Sequence, residues 1–327
     1  MSSDIKIFAG STGKEFAGHM CQQLGVELGK TEVISFSDGN IYVKIEEHVR
    51  DEEVYLVQPI GLNPNNEFVE ILFWMDAFKR SGARYVTAII PYFSYAKGDK
   101  KDESRVSIRA RVCAECIELA GADRVITMDL HAAQIQGFFK KPVDHLFARP
   151  LLAKFIKSYV TRNSVVVSPD AGFAKNARKF ARTLGVTFAI GDKKRDGHDE
   201  NAEVLEIIGE VSGKDAIIVD DFTISAGTVV EIAKILKKKG AKNIIACFSH
   251  IPVTDKGVDA IEKSDISLVI STDSVTNHRI GRSSKIKIIS VAPLFAEVVN
   301  RMHNRKSISD LLDDIPDAIF NASLLIH

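Results

Sequence analysis

Net charge is the first thing missing from this chain. Its 43 lysines and arginines balance 43 aspartates and glutamates, so no overall field draws it to nucleic acid or to a membrane surface. Long apolar runs are missing too, because no uncharged stretch approaches the ~18 residues that span a bilayer. The opening Met1-Ser2-Ser3-Asp4 has neither the basic nor the apolar region of an export signal. The expectation is a soluble, cytoplasmic protein with no nucleic-acid or membrane partner, and a small molecule as its ligand. Only four cysteines are present. Cys113 and Cys116 make one CxxC, but there is no second CxxC and no HxxxH to complete a tetrahedral metal site. Since Arg109 to Ala120 reads as a helix, these thiols are expected to be buried or half-buried. No stretch is low in complexity.

What is present is length and alternation. With 327 residues and 45% hydrophobic content, the chain is long enough for two cores, since single cores usually stop growing near ~250 residues. Short β-branched runs alternate with amphipathic segments, the pattern of an α/β protein with parallel strands and crossover helices. Strands are expected at Ile5 to Phe8, Glu32 to Phe36, Val54 to Val57, Tyr85 to Ile90 and Arg124 to Met128. A second set follows at Ser164 to Val167, Val186 to Ile190, Ala216 to Val219, Asn243 to Phe248 and Ser267 to Ile270. The two successions suggest an internal duplication joined near Ala148 to Pro150, with Pro150 in the first turn of a new helix. The expected division is 1–148, 149–300 and a helical tail, 301–327, packing back on the first domain. The longest structureless stretch is Asp192 to Asn201, expected to be a mobile loop.

Chemistry concentrates where strands end. The run from Ala216 to Thr228 is an apolar strand closing in Asp220 and Asp221, then a turn into a helix. Such a turn aims free N–H groups and hydroxyls at one point, where the helix dipole also favours an anion. Ser225, Gly227 and Thr228 can wrap a phosphate, while Asp220 and Asp221 suit sugar hydroxyls or hydrated Mg²⁺. Asp170, Gly172 and Lys175 sit at a second strand-to-helix turn suited to pyrophosphate or metal. Asp129 and His131 close another strand; period-two alternation puts both on one side, where a carboxylate can orient an imidazole that holds metal or phosphate. Lys193, Lys194 and Arg195 are charges that a closing loop can bring to nonbridging oxygens. Phe36 offers a stacking face, and Asp38 and Asn40 can hydrogen-bond purine donors.

These runs carry a resemblance. The loop Asp220 to Thr228 resembles the phosphoribosyl pyrophosphate loop of type I phosphoribosyltransferases. The Phe36-Ser37-Asp38-Gly39, Pro91 to Ala96, Asp129 to Phe139, Ser168 to Gly172 and Asp192 to Arg195 segments, in that order, are similar to motifs of ribose-phosphate pyrophosphokinases. The resemblance runs from about Ile5 to about Leu311. It implies two similar type I phosphoribosyltransferase-like domains, each a parallel sheet flanked by helices, with the site at the carboxyl ends of strands between them. It implies transfer of the β,γ-pyrophosphoryl group of ATP to the C1 hydroxyl of ribose 5-phosphate. By the same resemblance Phe36, Asp38, Asn40, Lys97, Asp99 and His131 bind ATP, and His131 and Asp170 hold Mg²⁺. Asp170, Ala171, Gly172 and Lys175 embrace the transferred group. Asp220, Asp221, Ser225, Ala226, Gly227 and Thr228 bind ribose 5-phosphate, and Lys193 and Arg195 are catalytic. Members assemble as dimers built into larger rings such as hexamers. The chain departs from the family at Asn40 (usually glutamate), Lys97-Gly98 (Arg-Gln), Phe173 (often glycine) and Ile224 (commonly aspartate). A phosphoribosyltransferase and a non-catalytic regulatory paralogue are the competing readings.

Overall fold

The computed structural model describes residues 5–195 and 203–325, and the side chains of all of these except 193–195 and 203–205. The chain divides into two compact units. One runs to Ala148 and adds Ser274–Thr276 and the stretch from Ser290 onward; the other holds Arg149–Asp273 and Asn277–Ile289.

The first unit contains β1 (Ile5–Ala9), α1 (Lys14–Leu24), β2 (Thr31–Ser35), β3 (Ile41–Ile45), β4 (Glu53–Val57), α2 (Pro64–Arg80), β5 (Tyr85–Ile90), α3 (Arg109–Ala120), β6 (Arg124–Met128) and β7 (Val143–Leu146). Its main sheet is all parallel, in the order β1-β4-β5-β6-β7. Strands here read as nearly unbroken apolar runs because helices cover both faces. Phe8, Val54, Leu56, Val86, Ala88 and Val125 join Trp74 and Phe78 of α2 and Ala114 and Ile117 of α3 in one core. The β2–β3 hairpin stands apart as a two-stranded ribbon. Val33, Val43 and Ile45 pack it onto that core, and its exposed tip carries Phe36.

The second unit opens with α4 (Arg149–Ile156) and continues through β8 (Ser164–Ser168), α5 (Ala174–Leu184), β9 (Thr187–Arg195), β10 (Glu203–Ile208), β11 (Asp215–Phe222), α6 (Gly227–Lys238), β12 (Ile244–His250), α7 (Asp255–Lys263), β13 (Leu268–Thr272) and β14 (Ile286–Ile289). Seven strands run in the order β10-β9-β8-β11-β12-β13-β14, all parallel except the antiparallel β9–β10 pair. The order reverses direction between β8 and β11: the chain leaves β8 for β9 on one side and leaves β11 for β12 on the other.

The succession β-α-β-β-β-α-β-α-β-β occurs twice, from β1 to β7 and from β8 to β14. The helix that ends each repeat packs in the other unit. α4 lies against α5, while α8 (Ala292–His303) lies against α1 and is followed by α9 (Asp317–Leu324). The stretch 290–300, expected with the second domain, therefore belongs to the first unit. The seam is apolar: Phe16 and Phe295, both fully buried, meet edge to face at 5.3 Å between centroids. The second correction concerns Asp192 to Asn201. Residues up to Arg195 continue β9 and pair with β10, Asp192 opposite Glu206 and Arg195 opposite Glu203; charged residues are tolerated there because the pair forms the sheet edge. The remainder of that expected loop lies outside the described residues.

Replacing Phe295 with Ala leaves a cavity against Phe16, and the expected loss is about 3–5 kcal/mol of unfolding free energy. Urea titration of the variant beside the parent chain measures it; a loss below about 1 kcal/mol would mean the α1–α8 seam closes up without the ring.

Candidate active site

The reversal between β8 and β11 determines where a ligand fits the second unit. In open α/β sheets the crevice lies at the carboxyl ends of the strands flanking such a switch point. Two strand-to-helix turns emerge there side by side, one after β8 and one after β11. β11 also outruns its neighbour: its pairing with β8 stops at Ile218–Val167, while its pairing with β12 continues to Phe222–His250. Asp220 and Asp221 thus stand beyond the last β8 pair, facing the notch into which Ser168, Pro169 and Asp170 turn.

The turn after β8 is closed by its own polar groups. Ser168 Oγ donates to the Asp170 carbonyl at 2.7 Å, and the Phe173 N–H donates to Asp170 Oδ1 at 3.0 Å. Asp170, Ala171, Gly172 and Lys175 remain exposed. Phe173 adopts an ordinary right-handed conformation (φ −89°), so the glycine common in relatives is not required at that position.

The turn after β11 is more strained. Ala226 sits at φ +60°, which costs a residue with a Cβ about 1–2 kcal/mol. The twist starts α6 at Gly227 and leaves Ser225, Gly227 and Thr228 exposed, a turn of the αL-then-helix kind whose backbone N–H groups can face an anion. The Ile224 carbonyl accepts the Thr254 N–H at 2.9 Å, tying the loop to the start of α7.

Two glycines that the motif reading passed over let these turns lie where they do. A Cβ on Gly191 in β9 would stand 2.6 Å from the Pro169 carbonyl oxygen. One on Gly257 in α7 would stand 2.7 Å from the Ile224 carbonyl oxygen and 2.5 Å from a Val253 methyl. Glycine inside a strand or helix is costly unless another backbone approaches closely, and here one does in each case.

The carboxylates are crowded. Burial, then the neighbouring charge of Asp221, with a further contribution from Asp170, pushes Asp220 up to about 9. Asp221 is buried, and its Oδ1 accepts the Phe222 N–H at 2.9 Å. Burial and mutual repulsion of these carboxylates are relieved by sugar hydroxyls or by a cation, and carboxylate oxygens are the donor type Mg²⁺ takes. Among the described residues no group of three or more His, Cys, Asp or Glu side chains forms a metal cage by itself.

In the first unit, the hairpin tip holds Phe36, half exposed, and Asp38 and Asn40 bound to each other. The Asn40 N–H and Nδ2 donate to the two Asp38 oxygens at 3.0 and 2.8 Å, and these bonds hold Asp38 below the usual carboxylate range. Lys97 belongs to the short helical turn Ser94–Gly98, with Asp99 next; Gln134 reaches Asp99 at 3.5 Å. Gly98 lies directly under the Arg109 side chain.

The expected alternation of Asp129 and His131 does not hold, because β6 ends at Met128 and Asp129 turns to φ +40°. Its Oδ2 accepts the Ala148 N–H at 2.9 Å. His131 is exposed on the following turn. The backbones of Lys193 and Arg195 lie in β9 beyond its last pair with β8 and opposite Leu205 and Glu203 of β10, with their side chains outside the described residues. Cys113 is in the α3 core, its thiol pushed up to about 12 by burial, and Cys116 is half-buried, as the helical reading of this stretch expects.

Residues 5–121 match the N-terminal domain of ribose phosphate pyrophosphokinase, and residues 200–313 match the phosphoribosyl synthetase-associated domain. The ribose-phosphate pyrophosphokinase of Wolinella succinogenes is 44% identical over 306 residues, covering 94% of this chain and 98% of the relative. That of Caldanaerobacter subterraneus is 43% identical over 311 residues, covering 95% and 98%. The chain belongs to the ribose-phosphate pyrophosphokinase family. The crystal structure of the phosphoribosylpyrophosphate synthetase from Mycobacterium smegmatis superposes with a TM-score of 0.88 at 33% identity, over 93% of this chain and all of that one. The family fold is two phosphoribosyltransferase-like α/β units, and both are present. No helix among the described residues is long and apolar enough to cross a membrane.

Two outcomes are expected of this site. Gly257→Ala should push the Ile224–Ser225 backbone outward and raise the KM for ribose 5-phosphate about tenfold or more, with a smaller change in kcat. Initial-rate kinetics decide it, and an unchanged KM would mean the loop is not held by that approach. Asp220 binds its proton more tightly folded than unfolded. Its contribution is therefore favourable below about pH 4 and is lost as pH rises toward about 9. Asp220→Asn should accordingly raise the melting temperature of the ligand-free protein at pH 7 while cutting activity, and the gain should vanish below pH ~4. Thermal melts across pH test this, and a variant less stable at pH 7 would contradict it.

Proposed function

We propose that this chain transfers the β,γ-pyrophosphoryl group of ATP to the C1 hydroxyl of ribose 5-phosphate, releasing AMP. The observation that carries the reading is the pairing of two anion-binding turns at one switch point, with buried carboxylates between them. One turn suits the 5-phosphate and the other the pyrophosphoryl group. A phosphoribosyltransferase needs the same loops, but the full-length match to pyrophosphokinases, including the N-terminal domain, favours transfer from ATP.

The proposed roles follow from what each group offers. Ser225, Ala226, Gly227 and Thr228 receive the 5-phosphate through N–H groups and hydroxyls, while Asp220 and Asp221 accept from the ribose hydroxyls. Asp170, Ala171, Gly172 and Lys175 surround the transferred group, with exposed backbone and one ammonium. Phe36 stacks on the base, and Asp38, Asn40, Lys97 and Asp99 supply polar contacts to the nucleotide. His131 and Asp170 are assigned to Mg²⁺, which when bound neutralises charge on the polyphosphate oxygens. Lys193 and Arg195 bring positive charge to oxygens that gain negative charge in the transition state. Most of the rate then comes from alignment and charge stabilisation, with no covalent intermediate. The domain division proposed for function is a nucleotide side in the first unit and a ribose 5-phosphate side in the second. A cytoplasmic location and a dimer-based homo-oligomer, up to a hexamer, accompany this reading.

AMP release from ATP with and without ribose 5-phosphate tests the activity. Ribose-dependent AMP supports it, and none under any magnesium concentration refutes it in favour of a non-catalytic paralogue. Lys193→Ala should lower kcat by about 100-fold or more while changing ribose 5-phosphate binding little, because its charge is needed mainly in the transition state. A change confined to KM would remove this role.

A further inference from the structure

His145 is a buried titratable group that none of these roles uses. It lies on β7, is 8% exposed, and packs against the Phe147 ring at 4.7 Å between centroids. Its Nε2 accepts the backbone N–H of Leu130 at 2.9 Å, and its Nδ1 lies 3.2 Å from the side-chain amide of Gln136. The two contacts bracket His131: one falls on the residue before it, the other on the helical turn Ala133–Phe138 after it. We infer that His145 is a positioning residue for His131, holding the Asp129–His131 turn in the conformation that presents the exposed imidazole to the nucleotide.

The need for such a holder is visible in the backbone. Asp129 is left-handed, and a non-glycine residue stays so only where its surroundings over-determine it. Hydrogen bonds from β7 and its exit contribute to this. The Asp129 N–H donates to the Leu146 carbonyl at 3.0 Å, the Ala148 N–H donates to Asp129 Oδ2 at 2.9 Å, and the Leu130 N–H donates to His145. The first two secure the strained residue itself. The third reaches past it toward His131, and it depends on one side chain. Leu130 is buried, so without this acceptor its N–H would have no water to turn to, and the turn would have to move. Burial pushes His145 down to about 4, which keeps the ring neutral at physiological pH. A backbone N–H aimed at Nε2 fixes the acceptor lone pair there.

This inference rests on the assignment of His131 to the metal-bound triphosphate, and the test separates the two. His145→Leu removes the acceptor, whereas His145→Gln extends an amide oxygen toward the position of Nε2. In the ligand-free protein, amide exchange at Leu130 should quicken about tenfold or more in the Leu variant and return near the parent rate in the Gln variant. With substrates, the Leu variant should raise the KM for Mg-ATP about tenfold, leave the KM for ribose 5-phosphate within about twofold, and be largely rescued by Gln. Unchanged exchange at Leu130, or equal impairment by Leu and Gln, would overturn the inference. If the Leu variant does not fold, the comparison passes to His145→Asn against His145→Gln, the same amide with shorter reach; equal behaviour overturns it and rescue by Gln alone supports it. His131→Ala runs alongside. If it leaves Mg-ATP kinetics unchanged, the role of His131 fails; if it impairs them while His145→Leu does not, only the positioning role fails.

Discussion

The second unit depends on one reversal of strand order. Because β8 hands on to β9 while β11 hands on to β12, α5 and α6 leave the sheet on opposite faces, and their first turns open onto the same crevice. A parallel sheet without that reversal would send successive loops away from one another. The first unit shows this contrast, since β1, β4, β5, β6 and β7 follow in one direction. Duplication of the same succession of elements has thus produced one half with a switch point inside its sheet and one half whose hairpin, β2–β3, stands off the sheet as a separate ribbon.

The crevice combines two opposed electrostatic features. The exposed turn residues Gly172, Ser225, Gly227 and Thr228 at helix starts favour negative charge, while Asp170, Asp220 and Asp221 resist it. Together they match the chemistry of the proposed phosphorylated sugar and its cation, with N–H groups for phosphate and carboxylates for hydroxyls or metal. Burial beside Asp221 raises the cost of a charge on Asp220, and its strong upward displacement records that cost. Strain at Ala226 and at Asp129 belongs to the same pattern, stability given up locally where a loop must hold an unusual shape.

The exchange of end helices constrains the chain at a larger scale. α4 completes the face of the second unit beside α5, and α8 completes the first beside α1, so each unit buries a helix from the other repeat. Phe295 against Phe16 is the most direct expression of that dependence.

Much of this was legible in the residues. Tyr85 to Ile90 and Arg124 to Met128 are strands with the boundaries that their β-branched runs suggest, and Arg109 to Ala120 and Ala174 to Leu184 are helices as their periodicity indicates. The motif order was enough to indicate the family, since a Gly-containing turn after Asp-Asp, or an Asp-Leu-His run, is local chemistry that travels with its own sequence. β3, β7, β10 and β14 were not apparent, because short strands of mixed polarity are recognised only by the partners they pair with. Lys193 and Arg195 read as loop for that reason, their extended backbone being set by β10. Nor does any local pattern say that Gly191 and Gly257 must admit the backbones of Pro169 and Ile224, or that His145 meets Leu130 from fifteen residues away. The sequence by itself determined the longer elements, the family and the chemical kinds of group at the site. Tertiary structure alone decided strand order, the exchange of helices, and which buried side chains hold the exposed ones, because each of these is a contact between residues that are neighbours only after the sheets have formed.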